Sequence, residues 1–182
     1  MQTADRTESR PLALALTLIS ALGRLLPHVP NVTPLGGSCL FAGSKVSGWL
    51  AYLLPVAVMA ATDPFVGGYS WASLAIYGCF LINVFIGRHM VRNATAMRVG
   101  AAAFLCSAQF FVLTNFAIWF EGGLTHSPWH RPGIAGLMTT YELGLPFWGR
   151  TLAGDLLFSA VLFSAYSLLA RRMAASPSSV TA

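Results

Sequence analysis

Few side chains in this sequence are equipped for chemistry, and most of them stand in apolar surroundings. Cys39, Cys79 and Cys106 all lie in stretches without charge. Apolar, buried cysteines mostly serve packing. Cys79 has a sharper alternative. It sits between Gly78 and Phe80, about two turns below the end of an apolar helical segment. A soft sulfur there could ligate a transition metal or a metal-bearing cofactor. His28 stands in a short loop between Pro27 and Pro30, as a ligand contact or a solvated side chain. His126 and His130 have the i, i+4 spacing of helical zinc ligands. Pro128 interrupts that spacing, and no third ligand accompanies it.

Asp155 lies within the last apolar stretch. An acid inside a membrane span marks function by default. The structural alternatives are a pair with Arg150 or Arg24, or a polar cap near a helix N-terminus. The adjacent turns of Arg150 and Asp155 favour the pair. Asn115 and Gln109 share another apolar stretch on different faces. Asn115 is placed to hydrogen-bond a ligand amide, although helix–helix contact is the commoner role of such residues. No phosphate-binding glycine loop, His-Glu-x-x-His pair or serine elbow is present. Enzyme chemistry has no motif to rest on.

The elements that must position these groups follow from composition. Of 182 residues, 55% are hydrophobic and 9% are charged, against about 25% charged in a soluble domain. That excludes disorder and an ordinary soluble core. A membrane span needs about 20 apolar residues, within roughly 17–25. Charge-free windows predict an all-α, polytopic membrane protein with six transmembrane helices in a single domain. The spans are 11–26, 34–44, 46–62, 71–87, 99–120 and 150–170. Pro27, Pro30 and Pro34 break the start of the second window, so only 34–44 can be helical there. Pro55 kinks the third.

Charge placement sets the orientation. Arg6, Arg10, Lys45, Arg88, Arg92, Arg98, Arg171 and Arg172 fall on one side, and Arg24, Arg131 and Arg150 on the other. Cytoplasmic loops concentrate Lys and Arg, so both termini are predicted to be cytoplasmic. The net charge of +5 then reports orientation and not nucleic-acid binding. The polar chemistry falls outside, above all in a long outer loop at 121–149, where 134–142 could form a short helix. It holds His126, Trp129, His130, Arg131, Tyr141 and Trp148. Loops of this length are usually functional or contain structure of their own. Its tryptophans also suit an interfacial belt.

Several blocks together resemble a known family. They are Arg24-Leu25-Leu26-Pro27-His28-Val29-Pro30-Asn31, Phe41-Ala42-Gly43, Asp63-Pro64-Phe65 and Asn115-Phe116-Ala117-Ile118-Trp119. Tyr141, Gly144-Leu145-Pro146-Phe147 and Thr151-Leu152-Ala153-Gly154-Asp155-Leu156 complete the set. These resemble the small six-helix substrate-binding S-components of energy-coupling-factor vitamin transporters. Within that group the likeness is to the solitary vitamin B12 transporters of the BtuM type. It covers residues 24–165.

The resemblance implies a multi-pass protein of the bacterial inner membrane that takes up cobalamin or a related corrinoid from the outer side. It implies Cys79 as axial ligand of the cobalt, with His28, Asn115, Tyr141 and Phe147 as pocket residues. Another vitamin as substrate, or enzymatic removal of the corrinoid upper ligand, are the alternatives. The lipid bilayer is a partner, and an energising module is either a second partner or dispensable. Docking on such a module often uses a ridge of small residues on the first helix. Here that ridge is Ala13, Thr17 and Ala21.

Overall fold

The computed structural model describes residues 10–175 apart from His28, Gly67 and residues 127–130. The described residues contain no strand. Their helices are α1 Arg10–Leu22, a 3-10 turn Gly23–Leu25, α2 Leu35–Lys45, α3 Leu50–Val66, α4 Trp71–Met90, α5 Ala96–Leu124 and α6 Ile134–Ala175. Three of them, α4, α5 and α6, are long and apolar enough to cross a membrane. The helices α1, α2 and α3 have 13, 11 and 17 residues. The first two fall short of a full span.

The break ahead of α2 lies where the prolines place it, with Pro34 as the N-cap. Ser70 and Ser73 form a capping box that starts α4. The Thr95 hydroxyl accepts from the Arg98 amide and starts α5. These caps satisfy amides that have no partner within the helix.

The long outer loop expected at 121–149 is corrected. α5 continues to Leu124, and α6 begins at Ile134 and runs unbroken for 42 residues. Gly144, Pro146 and Gly149 read as breakers in the sequence, yet all three lie inside α6. Pro146 removes one backbone donor and crowds the carbonyl four residues back, a cost that packing must offset. The residues around it are held against α5: Tyr141 donates to the Val112 carbonyl (2.7 Å), and Trp148 stacks on Phe111 at 5.4 Å. Tertiary packing of this kind outweighs local propensity.

The least span-like segment forms the centre of the molecule. Every residue of α2 from Leu35 to Gly43 is buried. Two glycines explain how so short a helix packs so closely. A Cβ on Gly43 would lie 2.0 Å from the Val84 carbonyl oxygen, and one on Gly87 would lie 2.1 Å from that of Leu40. Backbone therefore meets backbone where α2 and α4 cross, as small residues allow in membrane helix pairs. Phe41 continues the core by meeting Phe163 and Tyr166 of α6 edge-on.

Ala13, Thr17 and Ala21 make up the buried face of α1, and Thr17 returns its hydroxyl to the Ala13 carbonyl (2.8 Å). The small-residue ridge is thus spent on packing within the bundle.

The two ends of the bundle are distinct. α4 and α5 run antiparallel: the Ala72 amide donates to Glu121 (3.2 Å), and Phe80 packs on Phe110. Arg10, Lys45, Arg88 and Arg92 gather around one cavity at one end. Arg24 and Asp63 pair at the other.

Candidate ligand-binding site

Two adjoining cavities open among the helices at the Asp63 end. One has a volume of about 170 Å³ and the other about 380 Å³. Asn31, Ile76, Phe110 and Thr151 line both, so the cavities are contiguous. Clefts of a few hundred Å³, mostly apolar with a few placed polar groups, are the usual form of small-molecule sites.

The smaller cavity is the charged one. Arg24 pairs with Asp63 at 2.8 Å. The Tyr77 hydroxyl donates to the other oxygen of the same carboxylate. Asp63 is therefore satisfied on both sides. Asp155 lines this cavity as well and is only 4% exposed. It has no ion-pair or hydrogen-bond partner among the described residues. Gly36 makes room for it, because a Cβ there would lie 2.0 Å from Asp155 Oδ1.

The larger cavity is aromatic and amidic. Phe110, Phe111, Phe147 and Trp148 form much of its wall, with Thr114, Asn115 and Thr151 as polar groups. The Trp148 indole N–H is buried with no acceptor among the described residues. Asn115 donates to the Phe111 carbonyl of its own helix (2.8 Å). Its amide oxygen lies against Gly144, where a Cβ would be 2.4 Å away.

The loop before α2 reaches into both cavities through Asn31. That residue adopts a left-handed backbone (φ 66°), a conformation asparagine tolerates better than most residues. Gly154 lets this loop lie on α6, with Val32 Cα 3.3 Å from where a Cβ would stand.

A family model described as a family of unknown function (DUF6580) matches residues 5–178. The chain belongs to that family. No curated protein and no solved structure matches it.

In this DUF6580 chain the residues singled out from sequence separate. Asn115 and Phe147 line the larger cavity. Tyr141 lines neither; it braces the site by donating to Val112 and packing edge-on against Phe111 at 5.5 Å. Cys79 is fully buried and also lines neither cavity. Its backbone carbonyl accepts from Gln109, which also donates to Asn83 (3.1 and 2.8 Å). Gln109 thus ties α4 to α5. His28 lies outside the described residues.

The Arg150–Asp155 pair is corrected. Because α6 starts at Ile134, Asp155 is deep within the helix and not at its beginning. Residues five apart point to different sides of a helix, and Arg150 is exposed while Asp155 is buried. Arg24 is engaged with Asp63 instead.

Sequence reasoning named none of Asn31, Phe110, Phe111 and Thr151 as a pocket residue, although Asn31 and Thr151 stand within the blocks that resemble S-components. Thr151 and Asp155 do carry a signal. With Gly144, Phe147 and Trp148 they recur at three- and four-residue steps, which is one helix face.

Proposed function

We propose that this protein is a multi-pass protein of the bacterial inner membrane that captures a vitamin-sized organic molecule and carries it across. The paired cavities at the end opposite the basic rim carry this reading. If the basic rim is cytoplasmic, they face the outer side. Their walls suit a ligand with an aromatic or apolar body and a few polar groups. Arg24, Asn31, Asp63, Asn115, Phe147, Thr151 and Asp155 belong to the blocks that resemble S-components, and all of them line these cavities. This convergence supports a transporter of that type for a small molecule.

The same convergence favours cobalamin as the second reading, because the resemblance is to B12 transporters. It needs a wider site. A corrin macrocycle with its amide arms exceeds either cavity, and the Cys79 thiol is enclosed in the core. Cobalt ligation would require the cavities to open toward α4.

The test is native mass spectrometry of protein purified from membranes, wild type beside Thr151→Trp. Thr151 lines both cavities, so an indole there takes up space where the two adjoin. A small molecule retained by the wild type and lost from the variant is the expected result. Cobalamin retained with a thiolate–cobalt absorbance that vanishes in Cys79→Ala would establish the second reading. Equal retention by wild type and Thr151→Trp would remove the cavities as the site.

A further inference from the structure

The charges lining the cavities do not balance. Asp63 is matched by Arg24 and further held by Tyr77. Asp155 is matched by nothing among the described residues, although it is 4% exposed and borders the cavity. Among the described residues, Arg24, Asp63 and Asp155 are the only ionisable side chains lining either cavity. Counted as ionised groups, they sum to a single negative charge. A buried carboxylate without a partner is costly. Within an apolar bundle such a group marks a substrate or ion pathway.

The aromatic wall lies along the same helix face. Phe147, Thr151 and Asp155 follow one another at four-residue steps. At 1.5 Å per residue, Phe147 and Asp155 stand about 12 Å apart along α6. Thr151 lies between them and belongs to both cavities. The site is thus bipolar, with an aromatic chamber at one end and an unmatched carboxylate at the other. An aromatic wall also tolerates a cation, because ring faces attract positive charge.

We propose that the paired cavities select a singly charged organic cation with an aromatic or apolar body. Asp155 receives the positive group, and the wall of Phe110, Phe111, Phe147 and Trp148 receives the body. This rests on the reading of the cavities as a ligand site and names the chemical class of the ligand. Gly36 has a defined part. Its missing Cβ lets the Asp155 carboxylate stay at the cavity edge.

The experiment uses full-length protein in detergent and matched aromatic probes. Each set holds an amine, a neutral isostere and a carboxylate on one skeleton, such as tryptamine, 3-propylindole and indole-3-propionate. Phenethylamine, propylbenzene and 3-phenylpropionate form a second set. Binding is read as the shift in thermal unfolding temperature across a concentration series. At least one amine should stabilise the wild type at concentrations where its neutral and anionic partners do not. Asp155→Asn should weaken that amine at least tenfold.

Asp155→Asn without ligand should unfold at the same temperature as the wild type or higher, because a group held for binding costs stability. A purely structural carboxylate would move that readout the other way. Gly36→Ala keeps the charge and displaces the carboxylate, so it should also weaken the amine. It decides the matter if the asparagine variant does not fold.

The inference is overturned if no amine outperforms its neutral partner, or if both variants bind amines as the wild type does. Neutral probes that bind, are lost in Thr151→Trp and ignore Asp155→Asn would leave the ligand site standing and remove the cation. If Thr151→Trp alters no probe's binding, the site and the cation fall together.

Discussion

The two ends of this bundle each hold a cavity, and opposite materials line them. At the Lys45 end a cavity of about 860 Å³ is bordered by Arg10, Lys45, Arg88 and Arg92, with no carboxylate among the described residues of its lining. At the Asp63 end the cavities are smaller, and two carboxylates face one arginine. The larger charge excess belongs to the basic end, yet its cations have inexpensive solutions. Arg10 and Arg92 are exposed. Arg88 donates to the Gly48 carbonyl (2.7 Å) and lies over the Tyr52 ring. Lys45 lies over Phe163 and Tyr166. Charge at the basic end is solvated or laid over aromatic rings, the pattern of a cytoplasmic rim in the proposed topology. Charge at the other end is desolvated, and there each group must have a partner or a purpose. Burial of charge, more than its amount, separates a rim from a site.

The sharpest way to break this comparison is to ask whether the ends face different compartments. The native cysteines are all buried, so a single introduced thiol reports its own position. Tyr69→Cys at the acidic end should react with a membrane-impermeant maleimide on intact cells. Ser47→Cys at the basic end should react only after the membrane is opened. Labelling of both from one side would remove the sidedness.

The next effect is energetic. Arg24→Ala leaves Asp63 buried without its cation. Breaking such a pair costs about 3–5 kcal/mol, read as a lower unfolding temperature in detergent. The side chains are 13% and 10% exposed, so the lower end of that range is expected. Replacing Arg24 and Asp63 together with Met and Leu should recover much of the loss. No recovery would show that the pair does more than neutralise charge.

Gly43→Ala compares backbone contact with side-chain contact. Its new Cβ meets the Val84 carbonyl, which cannot rotate away, so the crossing of α2 and α4 must open. A loss of about 1–3 kcal/mol is expected. The atoms nearest a Cβ in Gly36→Ala all belong to the movable Asp155 side chain, so this change should cost much less. Equal losses would mean that Asp155 is as rigidly held as backbone.

The smallest effect belongs to the basic rim. Arg92→Gln removes an exposed cation and should leave the unfolding temperature unchanged. A clear drop would show that this rim, like the other end, depends on its charges.

Much of the fold was legible in the sequence. The breaks at Pro27, Pro30 and Pro34 and the start of α4 follow local rules that neighbours do not override, whereas α4 ends at Met90, three residues past its expected end. The limits of α6 were not legible. Gly144, Pro146 and Gly149 signal a loop, but α5 supplies a packed surface along that segment, and the helix continues through it. The site was half legible. Asn115 drew notice as an amide near the expected outer face, and Phe147 through the block that resembles S-components. Asn31 and Thr151 look ordinary until the loop before α2 is laid on α6. Cys79 drew notice by its element, and burial keeps it from the cavities.

The sequence alone determined the class of the molecule and its polarity. Some 9% charge with 55% hydrophobic residues leaves little polar surface for an ordinary soluble domain, and the spacing of Arg10, Lys45, Arg88 and Arg92 along the chain sets them apart from Arg24. These are sums and spacings, which a linear chain displays. Tertiary structure decided which polar groups meet. Arg24 could pair with Asp63 or Asp155, and only the packing of α1, α3 and α6 around the short α2 selects Asp63. A pairing is a distance between residues far apart in sequence, and that distance exists only once the helices are packed.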